Sequence, residues 1–148
     1  MKPFIILLAA FGISLVALYF SSGTWNYAWA ARIAMAVMLL FTALGHFMFT
    51  DGMSLMLPEI IPFKIGLVYV TGVLEIILAI GLLIPAFATV TAWILIVFLI
   101  LMLPANIYAA VKKLDYQKAT YDGNGPKYLW FRVPLQLFFI AWVYIAVL

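Results

Sequence analysis

The 148-residue chain contains no cysteine. Disulfides, thiolate nucleophiles, Cys-ligated zinc and iron–sulfur clusters are excluded with it. So is a membrane thiol oxidoreductase that works through its own Cys pair. Histidine occurs once, as His46, so the chain cannot build a bis-His haem site alone. No metal site and no covalent cofactor are expected. Charge is scarce as well: charged residues make up 9% of the chain, against roughly 25% in soluble domains. Apolar residues take their place, at 69% of the sequence and a mean hydropathy of +1.24. This is the composition of an integral membrane protein with room for one compact domain, residues 1–148. The net charge of +3 does not indicate nucleic acid, because the basic residues follow a membrane topology instead.

Five apolar segments stand out, at residues 4–20, 29–49, 65–84, 87–110 and 129–148. Each has the length of a transmembrane helix. The ten-residue alternating segments of a membrane β-barrel are absent. A helix closes its own backbone hydrogen bonds in hydrocarbon, so the expected fold is all-α, a polytopic bundle of five transmembrane helices. Residues 21–28 form a short polar connection, with Trp25, Tyr27 and Trp29 suited to the headgroup level. Residues 50–64 are oddly apolar, and Pro58 and Pro62 forbid a regular spanning helix there. That stretch is expected to lie in the interface or to dip in as a lid over the bundle. Pro85 makes the next connection a tight turn, so the third and fourth spans form an antiparallel hairpin. Residues 112–127 are the one properly hydrophilic loop, with a turn signal at Asp122-Gly123-Asn124-Gly125-Pro126.

With the N-terminus inside, the inner side holds Lys2, Lys64, Lys112, Lys113, Lys118, Lys127 and Arg132. The outer side holds only Arg32. This asymmetry predicts a cytoplasmic N-terminus and an external C-terminus. The first segment has a second reading as a signal peptide, since Lys2 precedes the apolar run and Ala28-Trp29-Ala30 resembles a cleavage site. Its length of 17 apolar residues favours a retained helix. Either way the other four helices keep the same orientation.

Few polar groups fall within the spans. Glu75 lies near the middle of the apolar run 65–84, about 15 Å from either end by the helical rise, and so near the bilayer midplane. An ionisable group there must be paired, neutralised or wet. His46, Asn106 and Arg132 each lie about 5–6 Å in from the inner ends of their helices, and Gln136 about 10 Å in. Arg132 and Gln136 are four apart and share a helix face. Thr42, Gly45 and His46 cluster on one face of the second span. Gly72 and Ala79 flank Glu75 with small residues that let a neighbouring helix approach. Pro104 and Pro134 each remove an N–H and leave a carbonyl at this level. The expected site is a cavity in the cytoplasmic half lined by Glu75, His46, Asn106, Arg132 and Gln136. Plainer roles stay open: Glu75 as bundle glue bonded to Gln136 or Asn106, His46 as an interfacial histidine, Arg132 as a snorkelling topology determinant. Arg32 reads as an outer-interface anchor.

Several pieces of the chain resemble the DoxX-like family of small bacterial membrane proteins. They are Arg32, Gly45-His46-Phe47, the Pro58 and Pro62 loop, Thr71-Gly72-Val73-Leu74-Glu75 and Gly81-Leu82-Leu83-Ile84-Pro85. Pro104-Ala105-Asn106-Ile107-Tyr108 and Arg132-Val133-Pro134-Leu135-Gln136 complete the set, which covers residues 32–148. The resemblance implies a four-helix core, with residues 4–20 as an addition or a signal-anchor, in a bacterial cytoplasmic (inner) membrane. Some family members are similar to membrane subunits of thiosulfate:quinone oxidoreductase, and others look like partners in redox or stress complexes.

The sequence thus supports an accessory or binding role. The inner cavity would take a quinone or lipid within a membrane redox or envelope complex, its oxygens facing His46, Asn106, Arg132 and Gln136. Glu75 would supply or accept a proton. The alternative is an intramembrane acid–base enzyme, such as an isomerase acting on an apolar substrate, with Glu75 and His46 as catalytic candidates. A third reading is an assembly chaperone for membrane proteins. Expected partners are membrane lipids and a membrane complex or a second copy, with Ala30 and Ala34 at a spacing that allows close helix packing.

Overall fold

A backbone amide in hydrocarbon has no water to bond, so each apolar run coils into a helix that satisfies itself. The computed structural model describes residues 2–115, 120, 121 and 129–148. Its long helices are α1 (Lys2–Ser22), α2 (Tyr27–Met48), α4 (Lys64–Leu83), α5 (Ala88–Val111) and α6 (Leu129–Val147), with a single-turn α3 (Thr50–Ser54) after α2. The limits expected from the sequence fall within two residues of these. Among the described residues there is no strand, only an isolated bridge between Asp115 and Thr120. Helices α1, α2, α4 and α5 are long and apolar enough to cross a membrane, and α6 is apolar over the shorter stretch Phe131–Val147. The turn expected at 122–126 lies outside the described residues, as do Lys118 and Lys127.

Helices α2, α4, α5 and α6 form a closed ring in which each packs on the next and α6 returns to α2. The core lies inside that ring, around Met35, Leu39, Leu78, Leu82, Leu95, Leu99, Phe139 and Val143. Helix α1 stands outside it, laid along α2. It buries Leu7 completely. Its Phe4 and Phe11 meet Phe138 and Trp142 of α6 edge-on, with ring centroids 5.6 and 5.2 Å apart.

The N-terminal end of α2 is tied to the C-terminal end of α6. Trp142 Nε1 donates to the Ala31 carbonyl at 3.0 Å, and Arg32 Nε donates to the Ala146 carbonyl at 3.3 Å. Arg32 also lies over the Trp29 ring, 5.4 Å from its centroid. A fixed cation beside the last carbonyls of a helix is electrostatically favourable. Arg32 therefore ties the two helix ends together. Four residues after α4, the chain turns back into α5, and the Gly81 backbone sits directly against the Thr91 side chain. The hairpin expected around Pro85 is present.

The opposite end departs from simple expectation. Helix α2 stops at Met48, yet His46 packs against Gly72, eight residues into α4. At ~1.5 Å per residue, α2 ends roughly 9 Å deeper than α4 begins. The chain after α2 fills that depth. Helix α3 packs on α4 with Thr50, Gly52 and Ser54 buried. Met56 follows and packs against Ala105 and Ala109 of α5. Thr50 Oγ1 donates to the His46 carbonyl at 2.7 Å, covering one of the acceptors that a helix end leaves open. Residues 50–57 thus close this end of the bundle, the lid alternative of the sequence reading. Beyond them Ile60 and Phe63 project outward, both nearly fully exposed.

The α2–α4 contact depends on Gly72. A Cβ there would lie 2.8 Å from His46 Cβ, whereas one at Gly66 of the same helix would meet nothing within 4 Å. Gly72→Ala is expected to lower stability by about 1–3 kcal/mol. Gly66→Ala is expected to be neutral or to gain up to ~1 kcal/mol from helix propensity. Reversible unfolding in detergent micelles checks both.

Candidate functional site

The buried polar residues gather first at the α2–α4 seam. Glu75 on α4 and His46 on α2 are 6% and 5% exposed, in surroundings that are otherwise apolar. His46 Nε2 faces Glu75 Oε1 at 3.5 Å. Thr42, one turn before His46, brings its Oγ1 to 2.9 Å from Glu75 Oε2. Both carboxylate oxygens therefore have partners on α2. This is why a carboxylate is tolerated at the centre of an apolar helix.

The other imidazole nitrogen fixes the tautomer. His46 Nδ1 lies 3.0 Å from the Val68 carbonyl and 3.1 Å from Thr71 Oγ1. A backbone carbonyl only accepts, so Nδ1 carries a proton and donates it. Thr71 keeps its own proton for the Leu67 or Val68 carbonyl, at 2.9 and 3.0 Å. With Nδ1 committed, a further proton held by the pair lies between Nε2 and Oε1. It sits on nitrogen in an imidazolium–carboxylate pair, or on oxygen in a neutral pair. Gly72 makes this possible, because a side chain there would hold His46 away from the α4 backbone.

A second group joins α5 and α6. Arg132 Nη1 donates to Asn106 Oδ1 at 2.6 Å. Gln136, one turn further along α6, donates from Nε2 to the Leu99 carbonyl at 2.9 Å. Leu99 adjoins Ile100, the residue whose carbonyl loses its intrahelical donor to Pro104. Among the described residues, no buried side-chain nitrogen or oxygen lacks a hydrogen-bond partner.

All five residues expected from the sequence thus face other helices through polar contacts. The structure sorts them into two groups, His46 with Glu75 and Arg132 with Asn106, while Gln136 holds the α5 backbone. Glu75 takes its partners from α2, in place of the Gln136 or Asn106 considered from the sequence. His46 is also deeper than its distance from the end of α2 suggests, because α2 ends inside the bundle. Thr42 and Thr71 complete the seam. Thr42 stands four before His46 and Thr71 four before Glu75, the helical spacing that could have marked both. Among the described residues, no group of three or more His, Cys, Asp or Glu is placed to hold a metal ion.

A buried acid–base pair with a defined tautomer can hold, give or take one proton at a fixed place. On the outer side of the same seam lies an apolar groove of about 370 Å³, lined by Leu40, Phe41, Ala43, Leu44, Phe47 and Ile76.

The chain belongs to a family defined as a domain of unknown function (DUF8561), whose family model matches residues 35–147. The match begins within α2 and leaves out α1, the helix that stands outside the ring. No curated protein and no solved structure matches the chain.

Removing one member of a buried pair strands the other. His46→Leu alone, or Glu75→Leu alone, is expected to destabilise by about 3–5 kcal/mol, whereas the double leucine variant returns close to the wild type or above it. A thermodynamic cycle over the three variants in lipid bicelles measures this coupling.

Proposed function

We propose that this protein is a multi-pass subunit of the bacterial inner membrane that binds an apolar molecule with a polar head, a quinone or a lipid. Five helices cross the bilayer in this reading, α6 included, with the N-terminus in the cytoplasm. The lysine and arginine asymmetry supports that orientation. The polar end of the ligand enters the cytoplasmic half of the ring, and its tail lies between helices. The protein serves as an accessory within a membrane redox or envelope complex. Its likeness to DoxX-like proteins at Gly45-His46-Phe47, Thr71-Gly72-Val73-Leu74-Glu75 and Arg132-Val133-Pro134-Leu135-Gln136 supports this role.

The observation that carries the reading is a carboxylate, an imidazole and a hydroxyl converging inside an otherwise apolar bundle, with Asn106 and Arg132 on the two remaining helices of the ring. Polar groups at this depth are expensive, and their usual role is in the path of a substrate, ion or proton. The same pair favours acid–base chemistry on an apolar substrate as the second reading. It has a donor and an acceptor at a fixed distance, the arrangement that double-bond isomerisation requires.

Purified protein in nanodiscs, titrated with decyl-ubiquinone and separately with phosphatidylglycerol, tests the binding role. One of the two is expected to bind saturably. Glu75→Gln is expected to weaken that binding at least ~10-fold, or about 1.4 kcal/mol. Saturable binding of neither probe, or equal affinity in wild type and Glu75→Gln, contradicts it. Turnover of an apolar β,γ-unsaturated ketone, lost in both Glu75→Gln and His46→Ala, would move the assignment to the enzyme.

A further inference from the structure

We infer that the His46–Glu75 pair is a one-proton store, and that the ligand it serves has a head oxygen which itself exchanges a proton. The first half rests on geometry alone. The second rests on the binding role proposed above.

The two ring nitrogens of His46 have different tasks. Nδ1 is held by the Val68 carbonyl on the α4 backbone at 3.0 Å, and that contact fixes its proton. Turning the ring over would break the hydrogen bond from Nδ1 to the Val68 carbonyl. Nε2 meets Glu75 Oε1 at 3.5 Å, longer than the ~2.7–2.9 Å of a tight charge-assisted hydrogen bond. One proton therefore has two sites, Nε2 and Oε1, in a loose contact. Moving it between them leaves the net charge of the pair at zero, so the move adds no net charge to the low-dielectric interior. Thr42 Oγ1 steadies the other carboxylate oxygen at 2.9 Å, which directs the exchange to Oε1.

Among the described residues, few other titrating groups lie on the elements around the pair. Helix α3 brings Asp51, which is exposed, and α5 has Tyr108 as its one titratable residue. Helix α6 brings Arg132, which donates to Asn106, and the exposed Tyr144. Helix α1 offers Lys2 and Tyr19, both exposed, and Tyr69 and Lys64 of α4 lie toward the lid end. Tyr27 and Arg32 stand at the far end of α2.

A permanently charged lipid headgroup has no use for such a pair. A phenol or enol oxygen does. A deprotonated head oxygen takes the proton from Nε2 or Oε1 and becomes a hydroxyl, leaving a neutral imidazole and a carboxylate. In the reverse step the O–H breaks, the proton returns to the emptied pair and the electron pair stays on the ligand oxygen. No oxidant or reductant is involved.

The single histidine makes the test direct. Protein carrying ¹⁵N-histidine in nanodiscs gives one pair of ring nitrogen signals. Nδ1 is expected to stay protonated across the titration while Nε2 changes state, and Glu75→Gln is expected to shift the Nε2 transition. Decyl-benzohydroquinone is expected to move the Nε2 signal and to exchange a proton with the medium, seen by an indicator dye. Glu75→Gln abolishes that exchange. A bare Nδ1 with a protonated Nε2 overturns the store from the wild-type spectrum alone, whatever the variant does. An Nε2 transition unchanged in Glu75→Gln also overturns it. Hydroquinone binding without proton exchange overturns the store and keeps the binding role. A coupled His46 transition with no binding of any ligand keeps the store and overturns the binding role.

Discussion

A carboxylate at the middle of an apolar helix sets the terms for the rest of this fold. Glu75 needs partners that are polar, close and fixed, and only a neighbouring helix can provide them in hydrocarbon. Helix α2 meets that need with His46 and Thr42. The meeting requires two backbones to come unusually near, which is why position 72 is glycine. His46 in turn binds the α4 backbone through the Val68 carbonyl. The seam is thus held from both sides, carboxylate to imidazole and imidazole to carbonyl.

The early end of α2 follows from the same constraint. His46 belongs at the level of Gly72 and Glu75, and the helix stops one turn later. Irregular backbone at that depth is tolerated only where protein buries it. Thr50 covers a carbonyl, α3 packs on α4, and Met56 seats on α5. The lid and the buried pair are therefore parts of one arrangement. At the other end the Arg32 and Trp142 ties hold α2 to α6. Helix α1 adds contact area without entering the ring, in keeping with a family match that starts at residue 35.

Much of this was legible in the order of residues. Apolar runs of bilayer length announced the long helices, and Pro85 announced the hairpin. Glu75 and His46 stood out because they are rare in such runs, and Gly72 and Ala79 hinted at a close neighbour. The pairing was not legible. Depth counted from each helix's own end put His46 and Glu75 about 10 Å apart. That count assumes helix ends lie in common planes, and α2 breaks the assumption. The Val68 carbonyl could not be foreseen either, since a backbone acceptor leaves no mark in side-chain identity. The contact from Arg132 to Asn106, reached across the α5–α6 packing, joins two of the expected residues directly.

One contact is central, between the imidazole on α2 and the carboxylate on α4, inside the helical bundle. The chain is suited to its direct measurement, having one histidine and only Glu59 beside Glu75 among its glutamates. Rotational-echo double resonance on protein labelled with ¹⁵N-histidine and ¹³Cδ-glutamate, in hydrated lipid, reads the distance between the two groups. Strong dephasing of one of the two glutamate signals, of the size set by a 3.5 Å Nε2–Oε1 separation, is the predicted result. Absence of dephasing at both glutamates would contradict the account.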